Sequence, residues 1–206
     1  MVINCNEQEG AVLYKLMTSI VVPRPIGWIS TKSLNNIDNL APFSFFNMIS
    51  HDPPHVVFSA ITTNNNKRKD TVVNIIDTGE FVVNLVTEDV LEMMNETAIE
   101  IPFEESEFDF AAIASLSSIH IKPKRVKNSP IHLECKKVHD YTIAGNDNNG
   151  GATLIVGKVL AIHINDELLD ENLKIDRKKY KPIGKLSGGL YLKAIDDFYL
   201  KRKTKK

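Results

Sequence analysis

Three short stretches hold residue types and spacings suited to binding chemistry. The first is Arg68-Lys69-Asp70-Thr71, where a basic loop runs into a segment of helical spacing. A helix N-terminus offers unpaired N–H groups and the positive end of the helix dipole, so Arg68, Lys69 and Thr71 there suit a dianionic phosphate. Asp70 reads instead as a cap for the helix or a partner for a basic neighbour. In isolation the same pattern is also that of an ordinary capped helix after a solvated loop. The second stretch is Asn39 to Ser44, NLAPFS. Small residues beside aromatics let a planar ligand approach the main chain, which bonds its edge while a ring covers its face. Pro42 lacks an N–H and fixes its own φ, leaving the amides of Phe43 and Ser44 as donors. The competing reading is a barrel strand with Phe45 and Phe46 in its core. The third stretch, from Arg24 to Thr31, contains the lone tryptophan, Trp28, which is either core or interface filler or a wall beside a planar ring. Ser30, Thr31, Ser44 and Ser59 add uncharged donors and acceptors.

Other chemistries find little support. Of six histidines, only His51 and His55 stand at i, i+4 spacing, and Pro53-Pro54 between them forbids the helix that a metal pair would need. There is no GxSxG, P-loop or GxGxxG word. Cys5 and Cys135 are far apart and read as free thiols in a reducing compartment, one on a mobile end and one on a strand. The formal net charge is −1, and no basic face is evident apart from the tail KRKTKK, which reads as a frayed terminus. Nucleic acid is therefore not an expected partner. No apolar run approaches the ~18 residues of a spanning helix, and MVINCNEQEG lacks the basic and apolar regions of a secretory signal, so a cytoplasmic location is expected and no membrane partner.

The elements that must position these stretches are mostly strands. A chain of 206 residues with 43% hydrophobic and 25% charged content supports one well-buried domain, expected over 1–206 with loose ends at 1–10 and 201–206. Gln8 to Met17 carries Val12, Leu13, Leu16 and Met17 at helical spacing, predicting a short helix packed on the sheet. Pro23 and Pro25 demand an edge or bend before a strand from Ile26 to Ser30. Strands are predicted over Leu40 to Met48, His55 to Ile61, Phe81 to Val86, Ile131 to Ile143 and Ala152 to Ile164, with closing strands at Leu190 to Leu192 and Phe198 to Leu200. NNNKRK at 64–69 and AGNDNNGGA read as loops. From Asp70 the pattern is helical, with Val72, Ile75 and Ile76 on one face and Gly79 to end it. Thr87 is a plausible N-cap for a helix through Met94, and a short helix is expected within Ser106 to Ala114, anchored by Phe108 and Phe110. Many short strands with few helices fit a closed or partly open barrel better than a βαβ sheet.

Taken in order, the words RPIGWIST, NLAPFSFFN, DPPHVVFS, KDTVVNI, TGEFVVNL and PIGKLSGGLY span the chain from about residue 13 to about residue 192. The chain resembles the flavin reductase-like, FMN-binding split-barrel proteins, in the branch that includes flavoredoxins. That resemblance implies a mainly β fold with few helices, a Greek-key split barrel, forming a homodimer with FMN near the subunit interface. It implies phosphate contacts from Arg68, Lys69 and Thr71, and a pyrimidine edge held by Asn39, Ala41, Pro42, Phe43 and Ser44. Trp28 and Asn47 join the cofactor contacts, with Ser30 and Thr31 toward the ribityl chain or N5, and Ser59 toward the ribityl chain or phosphate. Phe46 stays in the core. Arg24 is either a nicotinamide-phosphate contact or a surface residue. Lys185 and Ser187 stand where the family often has Arg and Gly, which leaves the role of that loop open. The implied activity is hydride transfer from NAD(P)H, a transient co-substrate, to FMN, with no catalytic residue nominated because the cofactor carries the chemistry. Electrons would pass to a monooxygenase or another acceptor. The rival readings are a non-catalytic FMN-binding electron carrier, sensor or flavin store, and a barrel that binds no flavin.

Overall fold

Seven antiparallel strands form the main sheet in the order β3-β2-β6-β9-β10-β5-β4. The computed structural model describes residues 1–62, 67–146, 149–194 and 196–204. Asn64 to Asn66 of the basic loop, Asp147 and Asn148 of the predicted hairpin loop, and Lys205 and Lys206 of the tail therefore lie outside the described residues.

Strands β2 (Gly27–Lys32) and β3 (Asp38–Phe43), β4 (Phe46–His51) and β5 (Pro54–Ile61), and β9 (Ile131–Asn146) and β10 (Asn149–Ile164) pair as hairpins. β5 then joins β10, and β6 (Glu80–Leu85) lies between β2 and β9, the long-range connections of a Greek-key arrangement. The sheet curls on itself. The Phe43 ring at one edge stands 5.0 Å from that of Phe58 near the other. A Cβ built on Gly27 of β2 would come within 2.9 Å of the Phe46 ring on β4, so the glycine admits that close approach.

The predicted strand from Leu40 to Met48 is two strands, β3 and β4, on opposite edges of the sheet, with the break at Ser44 and Phe45. Pro42 has no N–H for a second ladder, which suits β3 to an edge. β1 (Arg24–Pro25) is a two-residue strand outside the main sheet, paired with β11 (Ile183–Lys185), which pairs in turn with β12 (Tyr191–Lys193). Phe198, Tyr199 and Leu200 form no strand and are exposed.

Among the helices, α1 (Gly10–Ile20) buries only Thr18 fully; of its predicted apolar face Leu13 and Leu16 are half-buried while Val12 and Met17 are exposed, so that packing is only partly met within one chain. α2 (Asp70–Thr78) buries Val72 and Ile75 and ends at Gly79, whose φ of 74° is the left-handed geometry that favours glycine. Thr87 precedes a 3-10 turn and α3 (Leu91–Glu96), but its side chain makes no capping bond. In α4 (Glu107–Phe110) Phe108 is buried and Phe110 is 56% exposed, so one of the two predicted anchors faces outward. The short β7 (Ser115–Leu116) and β8 (Arg125–Val126) pair with each other, and α5 (Arg177–Tyr180) precedes β11.

The strands enclose one core around Ile29, Phe58, Phe81, Val83 and Ile155, closed by Val72 and Ile75 of α2. Gly157 leaves room there: a Cβ at that position would lie 2.3 Å from the Phe81 ring. A second core gathers Trp28, Leu40, Val86, Met94 and Phe108 under α3 and α4. Cys5 is exposed and Cys135 is buried, both free, and burial pushes the Cys135 thiol well up. Among the described residues no helix is long and apolar enough to cross a membrane.

Candidate functional site

Between the two cores, β3, the first turn of α2 and the segment after α3 face one another across a cleft of about 350 Å³. One wall is the extended chain of Asn39, Ala41, Pro42 and Phe43, and one end is Lys67, Arg68, Lys69, Asp70 and Thr71. Residues 97–102 and Glu107 complete it. Seven of the thirteen nominated residues, Asn39, Ala41, Pro42, Phe43, Arg68, Lys69 and Thr71, are thus brought together from two separate stretches.

The basic end is built on a helix start. The amides of Val72 and Val73 bond back to the Lys69 carbonyl at 2.9 and 3.1 Å, while those of Asp70 and Thr71 precede the first intrahelical bonds. Lys69 is itself the N-cap residue, with no side-chain capping bond, and its ammonium pairs with Glu100 across the cleft. Asp70 therefore sits inside the first turn rather than capping it. Burial raises its carboxyl pKa, Lys67 and Lys69 oppose that, and Glu100 and Glu104 add to it.

The Thr71 hydroxyl has another task than the one predicted. It is 1% exposed and donates to Asn39 Oδ1 at 2.7 Å, which also accepts from Thr31 Oγ1 at 3.1 Å. Thr71 can therefore offer an anion its amide, while its hydroxyl ties α2 to β3. Glu107 completes this network: its buried carboxylate accepts from Asn39 Nδ2 at 3.0 Å and from the Leu40 amide at 2.8 Å. Burial raises the Glu107 pKa, with the Leu40 and Asn39 bonds opposing and the Asp70 charge reinforcing it.

The other nominated side chains lie elsewhere. Trp28 is fully buried in the second core and donates its indole N–H to Thr97 Oγ1 at 2.8 Å, so it supports the 97–102 wall from behind instead of lining the cleft. Ser30 is buried, bonded to the Lys124 carbonyl and accepting from Asn84 Nδ2 at 3.2 Å; Thr31 is buried, accepting from Asn74 Nδ2 at 3.0 Å. Both hydroxyls are spent on buried partners. Ser44 Oγ accepts from Arg24 Nε at 3.3 Å, Asn47 lies exposed on β4, and Ser59 is half-buried on β5, none of them lining the cleft. Arg24 is neither a free surface residue nor a cleft residue. It is 7% exposed and donates to the carbonyls of Thr18, Val21 and Leu186 at 2.7 to 2.9 Å, clamping α1 and the β11–β12 loop together. Lys185 lies over the Tyr191 ring, its Nζ 3.7 Å from the centroid, on the same small sheet.

Sequence reasoning missed Glu107 and the segment 97–102. A glutamate in a short helix's first turn looks solvated, and nothing in TAIEIP advertises a cleft wall.

The same assembly of strands and helices is found in known proteins. A family model for the flavin reductase like domain matches residues 17–184. The chain belongs to the flavin reductase-like family. A protein of Aquifex aeolicus is 43% identical over 195 residues, 95% of this chain and 96% of the relative. The solved structure of nitrilotriacetate monooxygenase component B from Bacillus cereus is similar with a TM-score of 0.92 and 32% identity, covering 97% of this chain and 98% of that one. A split-barrel-domain structure from Shewanella frigidimarina, 19% identical, matches the fold with a TM-score of 0.81 over 98% of this chain and all of that one, 100%. The flavin reductase-like chain is accordingly a mainly β split barrel, as its resemblance to that family implies.

Proposed function

We propose that this chain binds FMN in the cleft and acts as an NAD(P)H:flavin oxidoreductase, passing electrons to a downstream acceptor such as a monooxygenase. The observation that carries the reading is the union, in one 350 Å³ cleft, of a basic helix start with an extended, small-residue strand. The donor set fits the cofactor: amides of Asp70 and Thr71 with Arg68 and Lys69 suit its phosphate. Main-chain groups along Ala41 to Phe43 suit the polar edge of its ring, and the absence of a side chain beyond Cβ at Ala41 lets that ring approach. Bound FMN would supply the hydride acceptor, so the residues of this chain need only bind, orient and exclude water. Asn39, held by Glu107, Thr31 and Thr71, keeps β3 and α2 in register for that purpose.

The test is titration of the purified chain with FMN, followed by anaerobic addition of NADH or NADPH and filtration to see whether the flavin stays. Saturable quenching of flavin fluorescence and bleaching of its absorbance by one nicotinamide are expected. Replacing Arg68 and Lys69 together by Ala should weaken FMN by about 100-fold or more, since charged hydrogen bonds contribute roughly 1.5–3 kcal/mol each. Flavin that binds without bleaching would support a carrier, sensor or store instead, and the absence of any binding would end the proposal.

A homodimer belongs to the same reading. Tyr14, Met17, Ile20 and Val21 at α1 lie exposed, as do Phe45, Met48 and Ile49 at the β4 edge, a large amount of apolar surface for one chain to leave in water. Light scattering should give twice the chain mass, and Met48→Glu with Ile49→Glu should shift it toward the monomer. A wild-type protein that stays monomeric at tens of micromolar would refute the assignment.

A further inference from the structure

Resting on the FMN reading above, we infer that Glu100 is a specificity-determining residue: an internal anion that holds Lys69 until the phosphate of the ligand displaces it. Lys69 is the cation at the start of α2, and its ammonium is in contact with Glu100 Oε1. The two residues come from different walls of the cleft, Lys69 from the α2 entry and Glu100 from the segment that Trp28 braces through Thr97. The pair is open to water, with side-chain exposures of 36% and 74%. An exposed ion pair is weak and its partners exchange readily. A phosphate dianion, carrying more charge and able to accept from the Asp70 and Thr71 amides at the same time, outcompetes a lone carboxylate for Lys69.

The charge balance at this end makes the competition consequential. Lys67, Arg68 and Lys69 face Asp70, Glu100 and Glu107 among the lining residues, so the cleft is not a simple basic trap. An anion too weak to displace Glu100 meets a carboxylate beside its own position. A ligand lacking phosphate, such as riboflavin, leaves the Lys69–Glu100 pair intact and makes no use of Lys69. Glu100 thereby sets how much the phosphate adds to affinity, and it rejects weakly charged anions of similar shape.

The experiment compares FMN with riboflavin on the wild-type chain and on Glu100→Gln, by fluorescence quenching at low and at physiological salt. The Gln variant frees Lys69 and removes a repelling charge. It is expected to bind FMN about 3- to 10-fold more tightly at low salt, with a smaller gain at physiological salt, and to bind riboflavin as the wild type does. Glu100→Lys should raise the FMN preference further. A general loosening of the cleft would move both flavins together, so the ratio of the two affinities is the readout. If both flavins bind the wild type and the ratio is unchanged in both variants, the role of Glu100 is overturned while the FMN site stands. If neither flavin binds the wild type, the FMN reading fails and takes this inference with it.

Discussion

Glu134→Ala is expected to lower folding stability by about 3–5 kcal/mol, the usual cost of removing one side of a buried charged network. The Glu134 side chain is 0% exposed. Its carboxylate accepts the amides of Ile119 and His120, each at 2.7 Å, and His163 Nε2 at 2.6 Å. It therefore fastens the segment between β7 and β8 to the β9–β10 hairpin. Alanine would leave two amides and a ring N–H without their acceptor. Burial by itself raises the carboxyl pKa, but the two amide bonds and the His163 bond outweigh it and hold Glu134 below its ordinary value of 4.5. A lowered folded-state pKa means that the stabilisation is complete above pH 4.5 and is lost as pH falls through the folded value. Glu134→Gln, which keeps the volume and one acceptor, should lose less than Ala. Urea unfolding at pH 7 measures both, and a loss under about 1 kcal/mol for Ala would contradict the network. Because Glu134 does not line the cleft, flavin affinity of the folded variant should match the wild type.

Local rules made much of this fold legible. Gly79 marked the end of α2 because only a residue free to adopt positive φ serves there, and Pro23 and Pro25 marked a break before β2 because a proline cannot feed a ladder. The joining of the Asn39 stretch to the Lys69 loop followed from resemblance more than from spacing, since no periodicity tells which strand a helix start will face. What stayed hidden was the depth of each side chain. Ser30 and Thr31 carry hydroxyls that look available in sequence, yet each is consumed by partners distant in the chain, Lys124 and Asn74 among them. Trp28 shows the same limit: its apolar ring filled the core and its N–H went to Thr97, so it shapes the cleft without touching it. Glu107 was invisible for the opposite reason, because a charged residue is read as solvated until its three donor contacts are seen.

Acid should weaken the fold before the Glu134 carboxylate titrates, through His132. This ring is 5% exposed, donates Nε2–H to the Val126 carbonyl at 2.8 Å, and has a buried Nδ1 with no partner among the described residues. A proton added at Nδ1 would bury an unsatisfied charge. Burial accordingly lowers the His132 pKa from 6.5 to about 4; the Val126 bond and Glu134 oppose the shift, while Arg125 and His163 reinforce it. The folded state refuses a proton that the unfolded chain accepts, so stability is full above pH 6.5 and declines as pH falls toward 4. At 1.36 kcal/mol per pKa unit, the decline approaches about 3 kcal/mol. His132→Phe removes the titration and also leaves the Val126 carbonyl without its donor, so the variant starts from a lower level. The slope, not the level, is therefore decisive. Urea unfolding from pH 7 to pH 4.5, above the range where Glu134 begins to lose its charge, should show a steeper fall for the wild type than for His132→Phe, with the raised carboxyls of Asp70 and Glu107 working in the opposite direction in both. An equally steep fall in both would place the acid sensitivity in another group and remove His132 from the explanation.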